Sequence, residues 1–465
     1  MSETPRPQRV TVMGLGLFGG GVAAARHFAR RGARVTVTDL RGPTELARAL
    51  EQLEGLDLRL VLGEHRQADF EEAQLVVANP AVRPDNPFLE EARRGGARVT
   101  SEVALFLDAC PAEVVAISGT QGKSSTCHLL SQLLEHGERR VHLGGNIGRP
   151  LLDQLETIGA DDLCVLELSS YQLETLPEAW TRGRAGSPVV AAALVNVLED
   201  HLERHGDRAA YARAKLRMAE LLRTGGLLVL PEDPLPTPFE APADLRVERR
   251  GPGGLRVEDG HFRAGDVELG PASAVPWTAP FQLDNVALAA GLALRVGLAP
   301  EALRTGLSTL RGLPHRLDPV GHLGDRMLWD NGVSTTPDTT LSALEALEAG
   351  VVLLVGGQPK ELALEPLIRA CRAREARVVV FGAAAEPWSE AFRVGGVPTE
   401  TAAGPREALD QALELEGKAL LFSPACASFD AYPNFRARAE ELLDHARSLG
   451  ITPSEVALDR ATGHE

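Results

Sequence analysis

Short apolar runs rich in valine, alanine and leucine recur along the chain, bounded by glycine and polar residues. Between them lie stretches in which apolar residues return every three or four positions. The first pattern predicts strands buried on both faces, and the second predicts helices that cover them. RVTVMGLG at 9–16 opens the series, followed by ARVTVTD (33–39), QLVVANP (74–80) and RVTSEVALFL (98–107). A second start, AEVVAISGTQGKSS at 112–125, leads into DLCVLELSS and PVVAAALVNV. A third follows GLPHR (312–316), with GVVLLVGG, ARVVVFG and KALLFSPA between helical stretches. This alternation predicts an α/β protein with parallel sheets. Boundaries are expected near 110 and 310, giving segments 1–110, 111–310 and 311–465. The stretch 228–280 differs. It holds nine prolines and a hairpin-like RVEDGHFRAGDVEL with Asp-Gly at its turn, so extra β structure is expected on the middle segment.

Composition narrows the classes. A length of 465 residues fits two to four domains. The formal charge of −16 argues against nucleic acid, because a phosphate backbone needs a basic stripe. Five cysteines without a CxxC pair favour a reducing compartment over disulfides or zinc. The polar start MSETPRPQR runs straight into a strand pattern, and PVVAAALVNVL is too short to span a bilayer. A cytoplasmic protein with no membrane partner is expected.

Two glycine loops carry candidate chemistry. Gly14, Gly16 and Gly19 fit GxGxxG between a strand and a helix, and Asp39 ends the next strand. That geometry suits a nucleotide-like ligand, with a purely structural tight turn as the alternative. Gly119-Thr120-Gln121-Gly122-Lys123-Ser124-Ser125 also follows a strand and precedes a helix. Its amides would wrap phosphates, Lys123 would meet the terminal ones, and the Ser124 hydroxyl would hold Mg²⁺. Ile117 stands where the usual eight-residue motif has glycine, so the loop is a shortened variant. Glu167, at the end of an apolar strand, is placed for a metal-binding acid. His201, in NVLEDH, is either a ligand or a surface residue at a helix start.

Lysine usage adds a further signal. Four of the 48 basic residues are lysine: Lys123, Lys215, Lys360 and Lys418. Lysine can lose its proton and react, whereas arginine does not. Lys418, before an apolar run, reads as incidental. Lys215 lies on a helix expected to begin near Asp207. As a cation it would be repelled by Mg²⁺, but with added CO₂ it would become a carbamate, an oxygen ligand for a hard metal.

GTQGKSS, GGNIG (144–148), ELSSYQLE (167–174), NVLEDHLERHG (196–206), YARAK (211–215), GLPHR, GGQPK (356–360) and SPACASFDAYPNF (423–435) occur in this order. Together they resemble the Mur ligase family over nearly the whole chain. The resemblance implies three domains: N-terminal Rossmann-like, central P-loop ATPase-like with added β structure, and C-terminal Rossmann-like. It implies ATP-dependent addition of D-glutamate to UDP-N-acetylmuramoyl-L-alanine through an acyl phosphate, by a monomer using two Mg²⁺ ions. Lys123, Ser124, Ser125 and Glu167 would serve the ATP phosphates and the first ion. His201 and carbamylated Lys215 would hold the second. Asn146 and Asn285 would contact ATP, with His315, Arg316 and Asp330 reaching it as the third domain closes. Ser169, Ser170 and Gln172 would line the muramoyl-alanine side, and Leu17, Asp39 and Arg41 the uridine pocket. Lys360, Ser428 and Phe435 match positions that bind D-glutamate.

The chain departs from the family pattern at Phe18, at Asn79 and Ala81 in the diphosphate-side loop, and at Phe281-Gln282 before Asn285. It also departs at Asp330–Pro337, where a usual lysine is missing and Ser334 and Thr335 keep hydroxyls. A nicotinamide-dependent oxidoreductase, resting on the first glycine motif, leaves GTQGKSS and Lys215 unexplained. Another amino-acid adder of the same family and an inactive binding protein of the same fold are the remaining alternatives.

Overall fold

The computed structural model describes residues 8–16, 19–177, 184–360 and 362–454. The described residues pack as two compact units, one formed by those up to 275 with 281–311 and the other by 276–280 with those from 312 onward.

The first unit holds two parallel sheets. Strands β1 (Arg9–Met13), β2 (Arg34–Asp39), β3 (Leu58–Leu62), β4 (Leu75–Ala78) and β5 (Arg98–Thr100) line up in the order β3-β2-β1-β4-β5. The second sheet contains β6 (Glu113–Ser118), β7 (Val141–Gly145), β8 (Leu163–Glu167), β9 (Val189–Leu194), β10 (Leu222–Leu230) and β11 (Arg246–Arg249). Its order is β11-β10-β9-β6-β8-β7. Every residue of β8 and β9 is buried, which explains why these strands read as unbroken apolar runs. One apolar core runs through both sheets, joining Val12 and Val37 to Ala116, Leu166 and Leu194.

The proline-rich stretch adds β11 and a three-stranded antiparallel sheet, β12 (Leu255–Glu258), β13 (His261–Ala264) and β14 (Val267–Pro271). Asp259 and Gly260 turn β12 into β13 with φ of 49° and 73°, the backbone that an Asp-Gly hairpin requires.

The second unit has one seven-stranded sheet. Its strands are β15 (Asp318–Leu323), β16 (Arg326–Asp330), β17 (Val351–Gly356), β18 (Arg377–Phe381), β19 (Thr399–Ala402), β20 (Ala419–Ala425) and β21 (Thr452–Pro453). The order is β19-β18-β17-β20-β16-β15-β21, with β15 antiparallel to both neighbours. Separate apolar clusters pack against its two faces. Among the described residues no helix is long and apolar enough to cross a membrane.

Candidate active site

Strand β6 is buried from Val114 to Ser118 and leads into Gly119, whose carbonyl lies at the mouth of the sheet. Two lysines converge on that carbonyl, Lys123 Nζ at 2.9 Å and Lys215 Nζ at 2.7 Å. Lys123 also donates to the Thr120 carbonyl at 2.9 Å. The loop between is sewn to the segment after β9. Asn196 Oδ1 accepts from the amides of Thr120 and Gln121 at 3.0 and 2.9 Å, and Thr120 Oγ1 accepts from the Leu198 amide at 2.9 Å. Gly122 caps helix Lys123–Leu134 with φ of 78°. A Cβ there would come within 2.6 Å of Asn285 Oδ1, so only glycine fits. Asn285, buried in its own helix, thus sits against the phosphate loop and also accepts from Thr126 Oγ1 at 3.4 Å. Ser124 and Ser125 follow in the first turn, half-buried.

Lys215 belongs to helix Arg208–Leu216, whose start is fixed by the Asp207 carboxylate accepting from the Ala210 amide at 2.7 Å. Its side chain is 1% exposed and its Nζ lies 4.4 Å from the centre of the Tyr211 ring. Burial, reinforced by the Lys123 charge, pushes its ammonium well below the usual lysine range, against the pull of Asp200 and Glu167.

Glu167 ends β8 inside the sheet's mouth. Its Oε1 accepts from Asn146 Nδ2 at 2.9 Å, while its Oε2 is buried with no hydrogen-bond partner. A buried carboxylate oxygen left open in this way suits a cation. His201 adopts φ of 54° at the start of helix Leu202–His205, a backbone rare for a non-glycine residue. Its ring lies 5.2 Å from that of Tyr171 and 6.2 Å from that of Tyr211. Ser169 and Gln172 form a reciprocal cap on helix Ser170–Glu174, and Ser170 Oγ meets His205 Nε2 at 3.1 Å.

A cavity of about 840 Å³ runs from the first glycine loop to Asn146, lined by Gly14, Gly16, Asp39, Arg41, Asn79, Glu102, Ser169 and Gln172 among others. Asp39 Oδ2 accepts from the Leu15 amide at 2.9 Å, and both its oxygens are held by Arg41. Burial acts to raise the Asp39 pKa, but the Arg41 and Leu15 hydrogen bonds outweigh it and hold the carboxyl below its usual range. Asn79 turns its own loop, its Oδ1 accepting from the Ala81 amide at 3.0 Å. Leu17 and Phe18 lie outside the described residues.

Two residues of this region escape sequence reading. Glu102 is buried in the first turn of helix Glu102–Ala109, where burial pushes its carboxyl up to about 7. In sequence it reads as an ordinary acid at a helix start. Arg204 reaches from the His201 helix to the Ala81 carbonyl at 2.9 Å and to Glu174 at 2.7 Å. Its place in NVLEDHLERHG is the only signal for it, and neighbours distant in sequence decide its role.

In the second unit His315 Nδ1 meets Asp330 Oδ2 at 2.6 Å, both groups being buried. Phe435 begins helix Phe435–Ser448, with its ring 6.2 Å from that of His315. Ser334 is 1% exposed and its hydroxyl is engaged by Thr339 and Thr340 at 2.6 and 2.7 Å. It thus packs inside the unit. Arg316 is half-buried, Lys360 is exposed, and Ser428 is buried, its carbonyl accepting from the Tyr432 amide at 2.8 Å.

The family model for the Mur ligase middle domain matches residues 117–240, and that for the Mur ligase MurD-like N-terminal domain matches residues 8–101. A UDP-N-acetylmuramoylalanine--D-glutamate ligase of Roseiflexus sp. is 34% identical over 460 residues, covering 93% of this chain and 97% of the relative. The enzyme of the same name from Symbiobacterium thermophilum is 32% identical, over 97% and 99% of the two chains. Among solved structures, a MurF ligase from Thermotoga maritima in complex with ADP aligns with a TM-score of 0.56 at 18% identity, covering 98% of this chain and 96% of that one. The UDP-N-acetylmuramate-alanine ligase MurC of the same organism gives 0.56 at 18% identity, over 95% and 99%. These two likenesses speak for the fold.

Proposed function

The chain belongs to the Mur ligase family, and we propose how its residues carry out the reaction of that family's D-glutamate-adding members. It is an ATP-dependent ligase that adds D-glutamate to UDP-N-acetylmuramoyl-L-alanine in peptidoglycan precursor synthesis. The observation that carries the mechanism is the convergence of Lys123 and Lys215 on one carbonyl at the mouth of a phosphate loop.

A carboxylate is a poor acyl donor, so ATP first phosphorylates it, releasing ADP. The glutamate amine then attacks the acyl phosphate, and phosphate leaves. The charge that develops is anionic, and Lys123, the cation of the phosphate loop, would help to neutralise it. Ser124, Glu167 and His201 are the side chains that would hold Mg²⁺, and the open Oε2 of Glu167 fits that role. Bound there, the ion supplies charge neutralisation at the transferring phosphoryl group. Lys215, whose ammonium form burial disfavours, would add CO₂ and release a proton. The resulting carbamate gives this otherwise cationic corner an oxygen ligand. Asp39 and Arg41 would grip the uridine end in the cavity, and Asn146 links that cavity to Glu167. Lys360, Ser428 and Phe435 would receive D-glutamate. The setting is the cytoplasm.

Phosphate release with ATP, Mg²⁺ and UDP-N-acetylmuramoyl-L-alanine tests the reading, run in parallel with D-glutamate, L-glutamate, L-alanine and meso-diaminopimelate. Release with D-glutamate alone is expected. Release with another amino acid would move the specificity, and no release with any would sink the enzyme reading.

A further inference from the structure

Helix Phe435–Ser448 carries Arg438 in its first turn, the largest fully buried side chain among the described residues. One of its terminal nitrogens, Nη1, donates to three backbone carbonyls: Gly356 at 3.1 Å, Cys426 at 3.0 Å and Ala427 at 3.1 Å. Its Nε and Nη2 are buried with no hydrogen-bond partner. Among the described residues no carboxylate forms an ion pair with it. A buried charge so poorly compensated costs stability, and a well-packed apolar side chain would serve a purely structural role as well or better. Burial lowers its pKa to about 10, so it stays protonated at neutral pH.

What it gathers is specific. Gly356 closes β17, and Cys426 and Ala427 follow β20, its neighbour in the sheet. Between those two strands the order of the sheet reverses, the place where open α/β sheets bind ligands. Beyond the gathered carbonyls lie Lys360 on one loop and Ser428 on the other. The loops are bridged as well, Gln358 and Ala427 exchanging amide-to-carbonyl bonds of 2.9 and 3.0 Å. Ala425, buried in β20, has φ of 60°, and Gly357 has φ of 122°. A Cβ on Gly357 would come within 2.4 Å of the Ala427 oxygen and 2.6 Å of Arg438 Nη1. Strained backbone of this kind persists only where its surroundings over-determine it.

We propose that Arg438 is a positioning residue for the amino-acid substrate: it ties the ends of β17 and β20 together so that Lys360 and Ser428 are held where they receive D-glutamate. The proposal rests on the reading of those two residues given above. Arg438 itself touches no reacting atom.

Steady-state kinetics of the full chain test it, with D-glutamate, ATP and UDP-N-acetylmuramoyl-L-alanine varied in turn. In Arg438→Met the KM for D-glutamate is expected to rise about 30-fold, the scale of losing charge-assisted hydrogen bonds. The KM values for the other two substrates should stay within about twofold. Arg438→Lys, which keeps a cation and its donors, should recover part of the loss. Gly357→Ala, which drives a methyl group into the same carbonyl cluster, should reproduce the D-glutamate-selective rise. If Arg438→Met does not fold, those two variants decide the matter. A folded variant with an unchanged D-glutamate KM would overturn the proposal. So would a uniform fall in kcat and rise in all three KM values accompanying a lower melting temperature. Wild-type enzyme that used a different amino acid would overturn the D-glutamate reading instead, before any variant is compared.

Discussion

The loop after β1 and the loop after β6 both lead a buried parallel strand into a helix, and both use glycines of positive φ. Beside the first lie carboxyl groups: Asp39, ionised and clasped by Arg41, and Glu102, whose burial keeps its proton on to about pH 7. Beside the second lie two lysine amines, Lys123 and the buried Lys215. On the proposed reading, the same backbone design would serve two ligands because different side chains surround it. An acid-lined loop suits the hydrogen-bonding edges of a nucleoside, and a lysine-lined loop suits a triphosphate. Each loop also has one buried ionisable group that desolvation drives toward neutrality, an acid at the first and a base at the second.

The contrast is most severely tested at Lys215. Lys215→Ala should lower kcat by about 10³-fold, the scale of losing one metal-organising anion from a phosphoryl-transfer site. Short-chain carboxylates should restore part of it, and phosphate release with and without added formate or acetate measures both. A variant that kept near-normal turnover would remove the carbamate from the mechanism. Next in size is Glu102→Gln. The native carboxyl binds its proton up to about pH 7 and the unfolded one only to about 4.5, the ordinary range of a glutamate. Native stability is therefore lost as pH rises through that window, and the glutamine variant escapes the loss. Urea unfolding should show Glu102→Gln more stable by about 3 kcal/mol at pH 8 and by less than about 1 kcal/mol at pH 5.

Gly122→Ala separates the loops. It forces a left-handed φ on alanine and presses a methyl group on Asn285, so ATP affinity should fall about 30-fold. Binding of the UDP-linked substrate, followed by calorimetry, should stay unchanged. Asp39→Ala is the mirror experiment and the mildest. It frees Arg41 and the Leu15 amide, and should weaken the UDP-linked substrate about tenfold while leaving ATP affinity alone. Equal losses for both ligands in either variant would show that the loops do not act separately.

The residues that could be read in advance share a local signature. Glu167 ends an apolar strand, where a polar group must emerge at the sheet's edge, and Lys123 and Ser124 open a helix directly after a strand and a glycine loop. Asp207 caps its helix, and Asp259-Gly260 turns its hairpin, because capping and turn chemistry act over a few residues. Asn285, expected to contact ATP, lies against Gly122, a residue far away along the chain. Ser334 keeps a hydroxyl where the family pattern has lysine nearby, and only the fold shows that this hydroxyl closes a buried network with Thr339 and Thr340. Glu102, Arg204 and Arg438 carried no local mark, since their partners come from other strands and loops.

Sequence alone determined the alternation of strands and helices, the positions of both glycine loops and the chemical types available at each. Those properties follow from short-range periodicity and from residue chemistry. Tertiary structure decided which charges meet. It brought Lys215 to the carbonyl that Lys123 already holds, left one oxygen of Glu167 open, and buried Arg438 among three carbonyls. The reason is physical: pKa shifts, unmet hydrogen bonds and uncompensated charge depend on burial and on neighbours distant along the chain, and only the packed fold supplies either.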